Sequence, residues 1–217
     1  MFEHSTLGRV LASLLVGAAA APAMGLAVLC FTGTTIPRFE IPDGAPDYTA
    51  LAVAITGVVA LLLGFAIEAA GHLLIDEKVL EGPDIVTCLV QRDKEILEDR
   101  LGELDHGHLS GLFWKLAPSH VFAYRDEQWT YYEAYRNFAI VALLYLVFGS
   151  HYLCFTEGSI LGAAGVIVIA GVAVFVFLRT AYKAQEFYYQ VAGRFLVAAT
   201  DPDKPSAAET QSAPAIG

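Results

Sequence analysis

Apolar residues along this chain fall into four long runs, separated by polar stretches of very different length. Val10 to Pro37 contains no Asp, Glu, Lys, Arg or His. Tyr48 to Ile67 contains none either, Asn137 to Thr156 contains only His151, and Gly158 to Leu178 is again free of charge. A helix needs roughly 20 apolar residues to cross the hydrocarbon of a bilayer, and each run is long enough. A large soluble protein can also bury such a helix, but 217 residues leave too little mass to cover four. The pattern predicts an all-α fold: a polytopic membrane protein with a four-transmembrane-helix bundle and cytoplasmic helical extensions.

The breaks between runs set the expected organisation. Residues 1–75 form a first transmembrane hairpin, with helices over about 8–32 and 47–75. Pro22 lies mid-helix in the first and predicts a kink, tolerated where neighbouring helices re-satisfy the freed carbonyl. The apolar run continues past Ala21-Pro22-Ala23, so a retained helix is expected there and not a cleaved signal peptide. Pro37, Pro42, Gly44 and Pro46 predict an irregular loop. Residues 76–136 are the one sizeable polar segment, read as cytoplasmic. There Ile85, Leu89, Ile96, Leu97, Leu101 and Leu104 recur at helical spacing from Pro83-Asp84, and Asp105-His106-Gly107-His108 and Ser110-Gly111 are expected to break that helix. The next helix is expected to begin near Arg125 or Asp126 and to run directly into the third span. Residues 137–199 form a second hairpin, with spans over about 137–156 and 158–180, a tight turn at Thr156-Glu157-Gly158-Ser159, and a cytoplasmic extension to about Val197. Residues 200–217, rich in Pro, Ala, Ser and Thr, read as a disordered tail.

Charge fixes the expected orientation. Twelve of the thirteen Lys and Arg lie at the N-terminus, in 76–136 or after Leu178; only Arg38 falls on the other side. Lys and Arg concentrate on the cytoplasmic side, so both termini are expected there, in a multi-pass protein of a cell inner membrane. Trp129, Tyr131, Tyr132 and Tyr135 precede the third run, where interfacial aromatics belong. The net charge of −10 argues against a nucleic-acid partner. Cys30, Cys88 and Cys154 lack metal-ligand spacing and suggest no disulfide framework.

Candidate chemistry is sparse. Glu68, His72 and Asp76 are spaced i, i+4, i+8, which on an α-helix makes one polar stripe. A Glu-x-x-x-His pair can bind Zn or Fe, with His106, His108 or His120 as further ligands. The plainer expectation is pairing of Glu68 with Arg136 or Arg179, locking helix ends together, and no metal or cofactor is assigned. Arg179, Lys183, Glu186 and Gln190, beside Tyr182 and Tyr189, form a second stripe suited to anionic headgroups. His151 lies near Glu157 at the far end of the third span. Gly17, Ala21 and Gly25, Ala60 and Gly64, and Gly158 and Gly162 are small residues four apart, a spacing that lets helix backbones approach. Leu112, Phe113 and Trp114 form an apolar patch in the polar segment, read as a candidate partner-binding surface.

Phosphate-binding loops, the Gly-x-Ser-x-Gly elbow and His-Glu-x-x-His are absent from the sequence. The expectation is a non-enzymatic membrane subunit or anchor whose cytoplasmic segment binds a protein partner. Two alternatives are an oligomeric channel or membrane-disrupting effector, built as a homo-oligomer, and an interfacial metal-dependent enzyme using Glu68 and His72.

Overall fold

The computed structural model describes residues 2–34, 49–76 and 84–201, with side chains from Leu7, Val53 and Asp84 onward in each stretch and up to Thr34, Ile75 and Asp201. The loop expected at 33–47 and the tail beyond 201 lie largely outside them. The described residues are helical, without a strand. In order they are α1 (Phe2–Thr32), α2 (Thr49–Gly71), α3 (Ile85–Cys88), α4 (Gln91–Leu101), α5 (His106–Leu116), α6 (Ser119–Leu144) and α7 (Ile160–Ala199). Four helical stretches are long and apolar enough to cross a membrane: Leu7–Thr32, Val53–Ile75, Ser119–Thr156 and Ile160–Ala199. The chain divides into two compact units. Unit 1 takes residues 1–81 and 130–182; unit 2 takes 82–129 and 183–217. Helices α6 and α7 each contribute one part to each unit.

Unit 1 holds the apolar helices. Val16 and Ala20 of α1, Ile67 of α2, Ile75, and Ile140 and Val141 of α6 form its core. The approach of α1 to α2 depends on two missing side chains. A Cβ at Gly17 would fall on the Ala60 carbonyl, and one at Gly64 on the Ser13 carbonyl. So Gly17, Ala60 and Gly64 pack within one chain, whereas Gly25 faces open space. Pro22 lies inside an unbroken α1, on its exposed side.

After α6 the backbone continues through two π-helical turns, Tyr145–Gly149 and Tyr152–Thr156. The wider turn rotates the side chains relative to an α-helix. Tyr145 Oη donates to the Ala19 carbonyl at 3.1 Å, and Phe31 and Phe148 meet with ring centroids 6.2 Å apart. Gly158, at φ +66°, makes the turn into α7, a conformation that glycine adopts without a Cβ penalty. Ser159 Oγ then accepts the Gly162 N–H at 3.2 Å, closing the first turn of α7.

Unit 2 has its own core: Ile85, Leu97, Leu109 and Phe113, closed by Ala192 and Leu196 of α7. The single amphipathic helix expected from Asp84 is instead two. Asp84 caps α3 by accepting the Thr87 N–H at 2.6 Å, while its own N–H donates to the Thr87 hydroxyl at 2.9 Å. The backbone turns extended at Leu89 and Val90 before α4 begins. That break lets Ile85 and Leu97 enter one core, which a straight helix would prevent. Gly102, at φ +79°, ends α4. The expected breaker Asp105-His106-Gly107-His108 is in fact the start of α5, because the Asp105 carboxylate accepts the His108 N–H at 2.9 Å and caps it. Helix α6 starts at Ser119, earlier than Arg125, since the Pro118 carbonyl accepts from Val121 and Phe122 and launches the first turn. At the far end of α7, Arg100 Nη1 donates to the Val197 carbonyl at 2.8 Å, where a cation suits the helix dipole.

Candidate functional site

The densest polar cluster in unit 1 is formed by three apolar helices. Helix α1 supplies Arg9 and Ser13, α2 supplies Glu68, and α6 supplies Thr130, Glu133, Arg136 and Asn137. On α6 the spacing of Glu133, Arg136 and Asn137 puts all three on one face, and all three are buried. Arg136 is fully so, at 0% exposure. A buried guanidinium needs its donors matched. Its Nε donates to Asn137 Oδ1 at 3.3 Å, Nη2 makes a long 3.5 Å bond to the Glu68 carbonyl, and the group lies 5.5 Å from the Tyr132 ring centre.

Gly71 makes that seat. A Cβ there would come within 2.6 Å of Arg136 Nε and 2.9 Å of Asn137 Oδ1. The Glu68 carboxylate accepts from Ser13 Oγ at 3.3 Å, tying α2 to α1. Arg9 Nε stands 3.8 Å from Glu133 Oε2, tying α1 to α6. Arg9, Ser13, Glu68, Thr130, Glu133 and Asn137 line a shallow cleft with free room for about one water. Two guanidinium groups and two carboxyl groups face each other across three helices. That balance suits holding the helices together more than drawing in an ion.

The sequence-derived candidates divide as follows. Glu68 belongs to the cluster, and Arg136 reaches its backbone carbonyl. Arg179 is exposed on α7. The Glu68, His72, Asp76 stripe does not keep α-helical register, because His72–Asp76 is a π-helical turn. His72 is exposed, and the Asp76 side chain lies outside the described residues. Among the described residues no three His, Cys, Asp or Glu side chains are grouped to hold a metal. Leu112, Phe113 and Trp114 do not share one surface: Phe113 is fully buried, Leu112 packs against the unit 2 core, and Trp114 is 63% exposed. The alternation follows from helix geometry, since successive residues point 100° apart. Trp114 stacks on Phe122, ring centroids 4.8 Å apart.

In the second stripe, Gln190 Nε2 donates to Glu186 Oε1 at 3.1 Å, and Lys183 is exposed. Near the α6–α7 turn, Glu157 accepts from Tyr152 Oη at 2.9 Å, while the His151 ring lies against Phe155. Of the three expected histidine ligands, His106 accepts a backbone N–H of α3, and His108 and His120 are exposed.

Sequence reasoning missed Ser13, Glu133 and Asn137, and Arg125 in unit 2. Arg125 is 4% exposed, with its guanidinium carbon 4.0 Å from the Tyr188 ring centre and 4.5 Å from that of Phe113. Its Nε has no hydrogen-bond partner among the described residues. The available signal was position: Glu133 and Asn137 flank Arg136 at the mouth of an apolar run, where buried polar groups carry meaning.

No protein-family model, curated protein or solved structure matches the chain.

Proposed function

We propose that the chain is a multi-pass membrane protein that acts as a non-enzymatic anchor, holding a folded cytoplasmic helical module where a protein partner can bind it. The carrying observation is that the two units have separate apolar cores. Unit 1 consists of helices long and apolar enough to span, and its Arg9, Ser13, Glu68, Glu133 and Arg136 tie α1, α2 and α6 together. Unit 2 buries its own apolar set and leaves Trp114 at 63%, Leu116 at 41% and Tyr124 at 47% exposed around the α5–α6 corner. Segment 106–125 around that corner contains no Asp or Glu in a chain of net charge −10. Exposed aromatic residues beside the exposed Lys115, in a segment without acidic side chains, suit a binding surface. The distribution of Lys and Arg along the sequence supports a cytoplasmic position for this module. An oligomeric pore would use small-residue faces between chains, yet Gly17 and Gly64 already bring α1 and α2 together within one.

The test is photo-crosslinking in intact cells with a photoreactive residue at Trp114 or Leu116, and at Glu95 on α4 as the control. The proposal expects one reproducible protein adduct at the corner positions, absent at Glu95, with the chain resisting alkaline extraction from membranes. Extraction of the chain, or adducts at all three positions alike, would overturn it.

A further inference from the structure

His106 opens α5, and its ring is built into unit 2. Nδ1 accepts the backbone N–H of Ile85 at 3.3 Å. The ring stands edge-on to Tyr189 of α7, centroids 5.9 Å apart. Ile85 is the first residue of α3 and is fully buried, as is most of Cys88 at the other end. One imidazole nitrogen therefore holds a helix of four residues whose two apolar side chains fill the core.

An imidazole nitrogen accepts a hydrogen bond only while it carries no proton, and in the cationic ring both nitrogens donate. Protonation at Nδ1 would set one donor against another and leave a buried N–H unpartnered, which is costly. Asp84 at the start of α3 acts electrostatically on the ring, and Tyr189 of α7 stands edge-on to it. Cys88, with Glu186 near it, and Arg125 and Tyr188 lie around those two groups, and Asp105 and His108 are the ring's neighbours at the start of α5. Asp105 is engaged in capping α5 through the His108 N–H. Asp84 is the countercharge at the start of α3, but its carboxylate caps α3 through Thr87. A cationic ring that recruits Asp84 takes away that cap. Either response, a lost acceptor or a diverted cap, opposes the seated α3.

We infer that His106 is a proton-operated latch: the neutral ring seats α3 on the core of unit 2, and the protonated ring releases it and bares Cys88. It stands on unit 2 alone and does not depend on the anchor reading.

The experiment uses the full chain in nanodiscs of neutral lipid. Cys88 is labelled with dithiodipyridine, which stays reactive in acid, and the labelled peptide is quantified by mass spectrometry. Rates at each pH are divided by those of the denatured chain. Wild type is expected to lose protection of Cys88 several-fold between about pH 8 and about pH 5. His106→Asn places a non-titrating acceptor near the Nδ1 position and is expected to keep the same protection at both. Equal protection of wild type at both pH values overturns the latch. So does an equal loss in His106→Asn, which would assign the effect to Asp84 or another carboxyl.

Discussion

Each unit buries an arginine, and the two are held by different means. Arg136 in unit 1 is matched by polar groups: the Asn137 side chain, the Glu68 carbonyl and a space that Gly71 leaves open. Arg125 in unit 2 lies between the faces of Tyr188 and Phe113, and its Nε goes without a hydrogen bond among the described residues. The surroundings account for the difference. In unit 1 the helices are apolar on nearly all sides, so any polar atom must be satisfied by another helix. In unit 2 aromatic rings are abundant, and ring faces attract a cation without matching its donors one by one. A polar network makes geometry strict, whereas an aromatic sandwich tolerates more.

The largest test of that strictness is at the closest helix approach. Gly17→Val or Gly64→Val sets side-chain atoms on a backbone carbonyl, so α1 and α2 must part. Both variants are expected to lose the folded state, seen as aggregation on size exclusion in detergent. Gly25→Ala, with open space around it, is the control expected to match wild type.

Next comes the arginine pair itself. Arg136→Met takes the guanidinium donors away from the Asn137 side chain and the Glu68 carbonyl and is expected to destabilise unit 1 by about 2–3 kcal/mol. Hydrogen exchange along α1 and α2 reads that loss. Arg125→Met fills the space between two rings with a soft apolar chain and is expected to change unit 2 by only about 1 kcal/mol. Tryptophan fluorescence reads unit 2 directly, since both tryptophans, Trp114 and Trp129, lie there. Equal losses from the two substitutions would erase the contrast.

A smaller test concerns Cys88. Burial, with Glu186 and Asp84 nearby, pushes its thiol up to about 11. The folded chain then keeps a proton that the unfolded chain releases near 9, so this group's contribution to stability is present below about pH 9 and falls as pH rises toward 11. Alkylation of Cys88 at pH near 8 is expected to be slower than in the denatured chain by tenfold or more. Labelling as fast as in the denatured chain would show that α3 is not seated. The smallest effect is expected at Gly193, where a Cβ meets only the flexible end of Leu89. Gly193→Ala is expected to cost about 1 kcal/mol, read by the same fluorescence.

The all-helical fold with four long apolar helices was legible because hydrophobic runs of span length have few other uses. Boundaries inside the polar segment were not. Whether Asp105-His106 ends one helix or caps the next depends on where the His108 N–H finds an acceptor. Of the patch Leu112-Phe113-Trp114, Trp114 is exposed and Phe113 buried, since contiguous residues on a helix face different directions. The Glu68 stripe runs into a π-helical turn at His72, a feature that leaves no composition signal. Local rules, runs of apolar residues and the segments in which Lys and Arg gather were determined by the sequence alone, because each depends on neighbours along the chain. Which glycines touch a backbone, which nitrogen of His106 accepts, and whether an arginine meets oxygen or an aromatic face were decided only by the tertiary structure, because those partners come from helices distant in sequence.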